Sequence, residues 1–412
     1  MSDTSRELRV GQVGYAFMGA AHSQAWRTAP SFFDLPLKPR LTALCGRDAS
    51  AAGVVAERFG WESVETDWHA LIERDDIDLI DICTPGSTHV EIAVAALRAG
   101  KHVLCEKPLA NTVEEAEQMA AAAAEAATHG VFAMVGFTYR RTPALSLARQ
   151  LVRAGRLGTI RHVRAHYLQD WLVDPDSPLT WRLDKSLAGS GALGDIGAHI
   201  VDAAQFITDS WITSVSGVMQ TFVDSRPIAG EHSTLGGSGA ANGERGPVTV
   251  DDAAAFTARF DNGALGIFEA TRFATGRKNA LRIEISGSGG ALAFDFEEMN
   301  ILNLYDASEP AETAGFRRIV VTEPSHPYAA AWWPPGHGLG YEHGFTHQVV
   351  DIVNAIASGE QPTPSFADGL AVQRVLAAVE ASSDDDSRQQ KVPHDSAPVG
   401  AGTPATPQGE AS

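Results

Sequence analysis

From Leu8 to Tyr139 the chain alternates between short apolar runs and amphipathic stretches, and this rhythm limits the fold more than any other feature. The runs LRVGQVGY, RLTALCGR, DLIDICTP, HVLCEKP and VFAMVGFTY read as strands. AAHSQAWRTA, SAAGVVAERFG, HVEIAVAALRAG and TVEEAEQMAAAAAEAA lie between them and read as helices; Gly60 and Gly100 close two of them and Thr112 caps a third. Each strand is followed by a helix rather than a tight turn. Such crossovers join parallel strands, so an α/β fold is expected, a parallel sheet wound with helices on both faces.

Glycines mark the first strand-to-helix turn. Gly14-Tyr15-Ala16-Phe17-Met18-Gly19 has the spacing of a dinucleotide fingerprint, with Ala16 at the middle glycine position. Gly14 suits the tight turn. The helix start offers free N–H groups and a positive dipole end to a pyrophosphate. The second strand ends in Cys45-Gly46-Arg47-Asp48. Gly46 and Arg47 leave room and charge for a 2′-phosphate, whereas Asp48 is one step further on and within reach of a ribose, so NAD and NADP both stay open. Thr84 and Pro85 follow the third strand at the crevice, with His89 opening the next helix as a further candidate contact.

Two stretches carry chemistry. In Cys105-Glu106-Lys107-Pro108 a lysine sits at the end of a buried strand, where desolvation of its ammonium is costly unless a ligand or acid faces it. In GALGDIGAHIVD, Asp195 and His199 are four residues apart and share a face if the stretch is helical. A carboxylate there would raise and orient the imidazole. Candidate ligand contacts cluster nearby: Tyr139, Arg141, Tyr167, Gln169, Asp170, Trp181, Arg182 and, far downstream, Tyr341. Aromatic faces and multivalent hydrogen-bonding side chains of this kind suit a sugar or cyclitol. His343 and His347 carry no accompanying metal signature, so no metal is expected.

After Tyr139 the pattern changes to short alternating strands separated by turns such as Asp261-Asn262-Gly263, which predicts an open, mainly antiparallel sheet. Two helices, from His347 and from Gly369, close this half. The glycine-rich stretch from Ala229 to Gly246 reads as a surface loop. The expected division is a dinucleotide-binding domain at 1–137, a substrate-binding and oligomerisation domain at 138–381, and a disordered acidic tail at 382–412.

The net charge of −19 opposes nucleic acid and anionic membrane as partners. No apolar run is long enough to span a bilayer and no leader-like segment opens the chain. Cys45, Cys83 and Cys105, each in or at the end of an apolar run, read as reduced thiols of a cytoplasmic protein.

Taken in order, the fingerprint, TPGSTH, CEKPLA and GDIGAHIVD resemble the Gfo/Idh/MocA family of NAD(P)-dependent oxidoreductases. The resemblance implies an N-terminal Rossmann domain and a C-terminal domain on an open, mainly antiparallel sheet. It implies Lys107 as catalytic lysine, Asp195 as its carboxylate partner and His199 as general acid/base, with Glu106 near the nicotinamide ribose. The stretch YLQDWLVDPDSPLTWRLDKSLAGSGALGDIGAH is similar to a member that oxidises the C3 hydroxyl of an anhydro sugar with NAD. Thr138 departs from the asparagine of many relatives. Inositol 2-dehydrogenase, glycoside 3-dehydrogenase and keto-sugar reductase are the neighbouring activities. A non-enzymatic sensor would be expected to have lost the lysine or the histidine. The apolar character of the sheet implies a homodimer or homotetramer.

Overall fold

The computed structural model describes residues 6–228 and 244–394, so most of the glycine-rich stretch lies outside the described residues. The first sheet is built from β1 (Glu7–Val13), β2 (Lys38–Cys45), β3 (Ser63–Glu65), β4 (Leu79–Ile82), β5 (His102–Cys105) and β6 (Ala133–Val135). Their order is β3-β2-β1-β4-β5-β6, and every pair is parallel. Helices α1 (Phe17–Phe32), α2 (Ala49–Phe59), α3 (Trp68–Glu73), α4 (His89–Arg98) and α5 (Val113–Ala127) form the connections. This is the Rossmann order, and it reverses direction between β1 and β4, where the carboxyl ends of the strands open a crevice.

Local chemistry sets the helix ends. Thr112 caps α5, as the sequence predicts, and the structure adds a reciprocal box with Glu115. Gly60 closes α2 in the left-handed region at φ 78°.

The second half starts with α6 (Pro143–Arg153), β7 (Ile160–Leu168), α7 (Lys185–Ala188), α8 (Ala198–Thr208) and β8 (Ile212–Gln220). A small ribbon pairs β9 (Ser225–Pro227) with β10 (Arg245–Pro247), so the end of the glycine-rich stretch is strand rather than loop. Then come β11 (Ala253–Phe260), β12 (Leu265–Thr271), β13 (Ala280–Gly287), β14 (Gly290–Asp295), β15 (Ile301–Asp306) and β16 (Arg317–Val320). The chain ends in α9 (Tyr341–Ser358), α10 (Phe366–Asp384) and β17 (Gln390–Lys391).

The large sheet runs β16-β15-β14-β13-β7-β12-β11-β8-β17. All its pairs are antiparallel except β7 with β12. On β11, Ala254, Phe256, Ala258 and Phe260 face inward while Ala255, Thr257 and Arg259 face out. Phe256 stacks on Phe268 of β12 with ring centroids 4.8 Å apart. Burying each such ring stabilises by about 1.5–3 kcal/mol, which pins the register.

Three expectations need correction. The expected tail begins too early: α10 runs to Asp384, β17 pairs with β8, and Val392 is buried. Residues 395–412 lie outside the described residues. The final helices also straddle the expected domain division. Phe345, Val349 and Val353 of α9 pack into the core beside Trp26 of α1 and Val10 of β1. Six residues of α9 precede the expected start at His347, because the run from Tyr341 already has a buried face at Phe345 and Thr346.

Candidate active site

The glycine turn after β1 is shaped by contacts that admit no side chain. Gly14 has φ +100°, and a Cβ there would lie 2.8 Å from the Cys83 carbonyl oxygen at the end of β4. A Cβ on Gly19 would lie 2.2 Å from the Gly14 carbonyl oxygen, so α1 sits flush on the turn. Gln12 secures both, its amide donating to the carbonyls of Gly14 at 2.9 Å and Gly19 at 3.0 Å. Ala16 occupies the cap position of α1 without a side-chain cap, leaving the first N–H groups free of side-chain partners. A cradle of bare backbone and an uncapped helix start fit the pyrophosphate of a dinucleotide. Ala16, Phe17 and Met18 line the adjoining cavity.

The second strand end is arranged differently from the expectation. A Cβ on Gly46 would lie 2.0 Å from the Tyr15 ring, so this glycine makes room for Tyr15. Asp48 caps α2, its Oδ1 accepting from the N–H groups of Ser50 and Ala51. Arg47 is exposed. Neither Gly46 nor Arg47 belongs to the wall of the main cavity.

That cavity, of about 500 Å³, opens where the two sheets' domains meet. Its size is ordinary for a small-molecule site. Thr84 and Pro85 reach it from β4, Glu106 and Lys107 from β5. His89 does not line it. Its imidazole is buried between the carbonyls of Thr84, at 2.9 Å from Nε2, and Pro108, at 3.1 Å from Nδ1. His89 therefore joins the two loops that form the wall.

Lys107, Asp195 and His199 converge on the cavity. Lys107 Nζ donates to the Asp195 main-chain oxygen at 2.8 Å and lies 3.4 Å from Oδ1. Burial alone would raise the Asp195 carboxyl, but the charges of Lys107, Arg272 and Arg182 outweigh it and hold it down at about 2. The expected Asp195–His199 pair is not what forms: the carboxylate turns to Lys107 and Arg272, while His199 Nδ1 has no hydrogen-bond partner. Burial and the Lys107 charge push His199 well below the usual imidazole range despite Asp195. The ring is thus held neutral, with one nitrogen lone pair free to accept a hydrogen bond. Asp195 lies on a π-helical turn, Leu193–Gly197, that runs into α8, so the two residues are not stacked as on a regular helix.

Opposite lies an aromatic wall. The hydroxyls of Tyr139 and Tyr167 are 2.6 Å apart, and Tyr167 donates to Asn279 Oδ1. Gln169 donates to the same oxygen at 2.9 Å and accepts from Trp171 Nε1 at 2.9 Å. The Tyr139 ring meets His199 edge-on at 4.6 Å. Trp181, Arg182 and Tyr341 also reach the cavity, with the Arg182 guanidinium 4.5 Å over the Trp181 ring.

Two expected contacts are elsewhere. Arg141 is buried away from the cavity, donating to Asp351 at 2.8 Å and to the Thr363 carbonyl at 2.7 Å. Asp170 binds Lys278 at 2.8 Å and the Gly276 N–H at 3.0 Å. Both are strong donors or acceptors beside true wall residues, and only long-range partners decide which way they turn.

The sequence reading missed Arg272 and Thr138, which line the cavity, Asn279, which holds Tyr167 and Gln169 behind it, and a charged network behind Glu106. His22 Nε2 is 3.0 Å from Glu106, Nδ1 is 2.9 Å from Asp81, and Trp26 Nε1 donates to Asp81 at 2.7 Å. Both imidazole nitrogens face carboxylates, so both carry protons. Burial opposes that charge, but Asp81 outweighs it and keeps His22 well above its usual value. His22, Asp81 and Cys83 also lie close enough for a cation, with ligand atoms within 4.8 Å of one another, yet these hydrogen bonds already account for them. The detectable signal was a histidine one turn into α1 with an aspartate inside apolar β4.

Known proteins resemble this chain over most of its length. Residues 8–137 match "Oxidoreductase family, NAD-binding Rossmann fold", and residues 145–293 match "GFO/IDH/MocA C-terminal domain". Levoglucosan dehydrogenase of Pseudarthrobacter phenanthrenivorans is 42% identical over 377 residues, covering 91% of this chain and 95% of that protein. D-glucoside 3-dehydrogenase of Escherichia coli is 33% identical over 204 residues, half of this chain and 55% of its own. The crystal structure of an oxidoreductase domain protein from Kribbella flavida is 67% identical, with TM-score 0.90 over 94% of this chain and all of its own. A levoglucosan dehydrogenase in complex with NADH and levoglucosan is 41% identical, with TM-score 0.88 over 94% of this chain and all of that one.

Proposed function

The chain belongs to the Gfo/Idh/MocA oxidoreductases, sugar-acting enzymes with an NAD-binding Rossmann domain, and from that premise we propose that it oxidises the C3 hydroxyl of levoglucosan or a similar anhydro sugar to the ketone. The observation that carries this reading is the meeting of Lys107, Asp195 and neutral His199 on one cavity beside the dinucleotide cradle. When bound, the nicotinamide supplies the hydride-accepting chemistry. Lys107 donates to the reacting oxygen and stabilises the charge that grows there. His199 takes the hydroxyl proton. Asp195 holds the Lys107 ammonium, and Gln169 with the Tyr139–Tyr167 wall orients the ring of the sugar.

NAD is the cofactor of turnover in this reading, with exposed Arg47 admitting NADP as well. The open face of the large sheet, with Val218 of β8 and Leu265 and Ile267 of β12 exposed, seats a second copy of the chain. Three buried free thiols suit the cytoplasm.

The test is reduction of NAD or NADP, followed by absorbance, with levoglucosan, glucose, myo-inositol, scyllo-inositol and alkyl glucosides. Turnover of levoglucosan well above the rest supports the proposal. Turnover of an inositol or glucoside alone overturns the substrate and keeps the reaction class. Dinucleotide binding without turnover in either direction, keto sugars included, overturns the enzyme reading in favour of a sensor.

A further inference from the structure

The turn that bears Asp195 is held from the sheet side. Asp251, on the segment entering β11, accepts from the Gly191 N–H at 2.6 Å and the Leu193 N–H at 2.8 Å. Its main-chain carbonyl accepts from Ala192 N–H at 3.1 Å and from Arg272 Nη2 at 3.0 Å. The fit is tight at Gly191, where a Cβ would lie 1.8 Å from that carbonyl and 2.8 Å from Arg272 Nη2.

Arg272, one residue past β12, is fully buried. Its Nε and Nη1 have no hydrogen-bond partner, and Nη1 lies 3.7 Å from Asp195 Oδ2. A buried guanidinium with two unpaired donors is costly unless its charge is used. The carboxylate it faces is that of Asp195. Lys107 faces the other oxygen, Oδ1.

We propose that Arg272 is a positioning residue of this site: anchored on Asp251, it draws Oδ2 of Asp195 toward itself and so orients Oδ1 and the main-chain oxygen to hold Lys107. This rests on the oxidoreductase reading above. A separation of 3.7 Å exceeds a hydrogen bond, and such contacts tighten when substrate binds. The charged or titratable groups facing Asp195 are Lys107 from the β5 exit, Arg272 from the β12 exit, Arg182 from the turn after Thr180, His199 from α8, and the phenols of Tyr139, Tyr167 on β7 and Tyr341 on α9. Removing Arg272 therefore leaves other cations in place, and the loss is partial.

The experiment compares Arg272→Met and Arg272→Lys in the wild-type and Asp195→Asn backgrounds. Single-turnover rates, NADH fluorescence and carbon-13 NMR titration of the Asp195 carboxyl are read. Arg272→Met is expected to slow turnover about 10- to 100-fold, with dinucleotide affinity within about twofold. The Asp195 titration moves upward, and Arg272→Lys regains part of the rate. In the Asp195→Asn background the same substitution costs less than about threefold, since the two residues act as one unit. An undiminished loss in that background, or normal turnover in Arg272→Met, overturns the proposal. If Arg272→Met does not fold, Arg272→Lys carries the same comparison. If the wild type turns over no sugar, the functional reading fails by itself. The titration then decides: an unmoved Asp195 midpoint overturns the positioning role, and an upward shift supports it.

Discussion

The Lys107 ammonium donates to the Asp195 main-chain oxygen at 2.8 Å, although 88 residues separate the two and they belong to different sheets' domains. Together with the longer contact to Asp195 Oδ1 at 3.4 Å, this bond joins the end of β5 to the turn before α8 at the cavity wall.

Lys107→Met removes that bond and the donor aimed at the reacting oxygen. Turnover is expected to fall by about a thousandfold or more, with NADH binding retained, because the glycine turn and the α1 start are untouched. Stopped-flow hydride transfer and fluorescence titration read the two separately. A variant with rates within tenfold of wild type contradicts the role given to Lys107.

Removing His22 is expected to destabilise the fold more than removing an exposed histidine. His22→Leu leaves Asp81 and Glu106 as buried carboxylates without their shared cation. Breaking such a pair costs about 3–5 kcal/mol. The urea midpoint should drop accordingly, and a change under about 1 kcal/mol would show that the network is not charged.

Acid should expose the opposite case at His347. This ring is fully buried, with Nδ1 donating to the Arg141 carbonyl and Nε2 accepting from Trp332. Burial pushes it down to about 3, so the folded form holds it neutral. Its folded value lies below the unfolded one. The stability it contributes is complete above about pH 6.5 and is lost as pH falls toward 3. At pH 4.5 the loss is about 3 kcal/mol. Melting temperature measured from pH 7 to pH 4.5 should fall more steeply in wild type than in His347→Gln. Parallel curves would sink this account.

Much of the site was legible from local sequence, and the reason is geometric. Gly14 and Gly19 announce a turn with no room for Cβ atoms, and Lys107 stands out as a charge ending a buried strand. The misreadings share another cause. Arg141 sits two residues from Tyr139 in the same turn, yet its guanidinium is claimed by Asp351 and Thr363, more than 200 residues on. Asp170 follows Gln169 directly, and period-two alternation along an extended chain sends it to Lys278 on the other side. His89 was read by its place at a helix start and proved to be the bridge between two loops.

The sequence alone therefore determined the parallel α/β half and the glycine turn after β1, since hydrophobic period and glycine placement act over a few residues, while the trio Lys107, Asp195 and His199 was marked by the family resemblance. Tertiary structure alone decided that Asp195 also faces Arg272 and leaves His199 Nδ1 without a partner, that packing pushes His22 up and His199 down, and that the chain beyond α10 returns to the sheet as β17. Charge state and side-chain direction in a buried site are set by which distant groups packing brings within a few ångströms, and no local period encodes that.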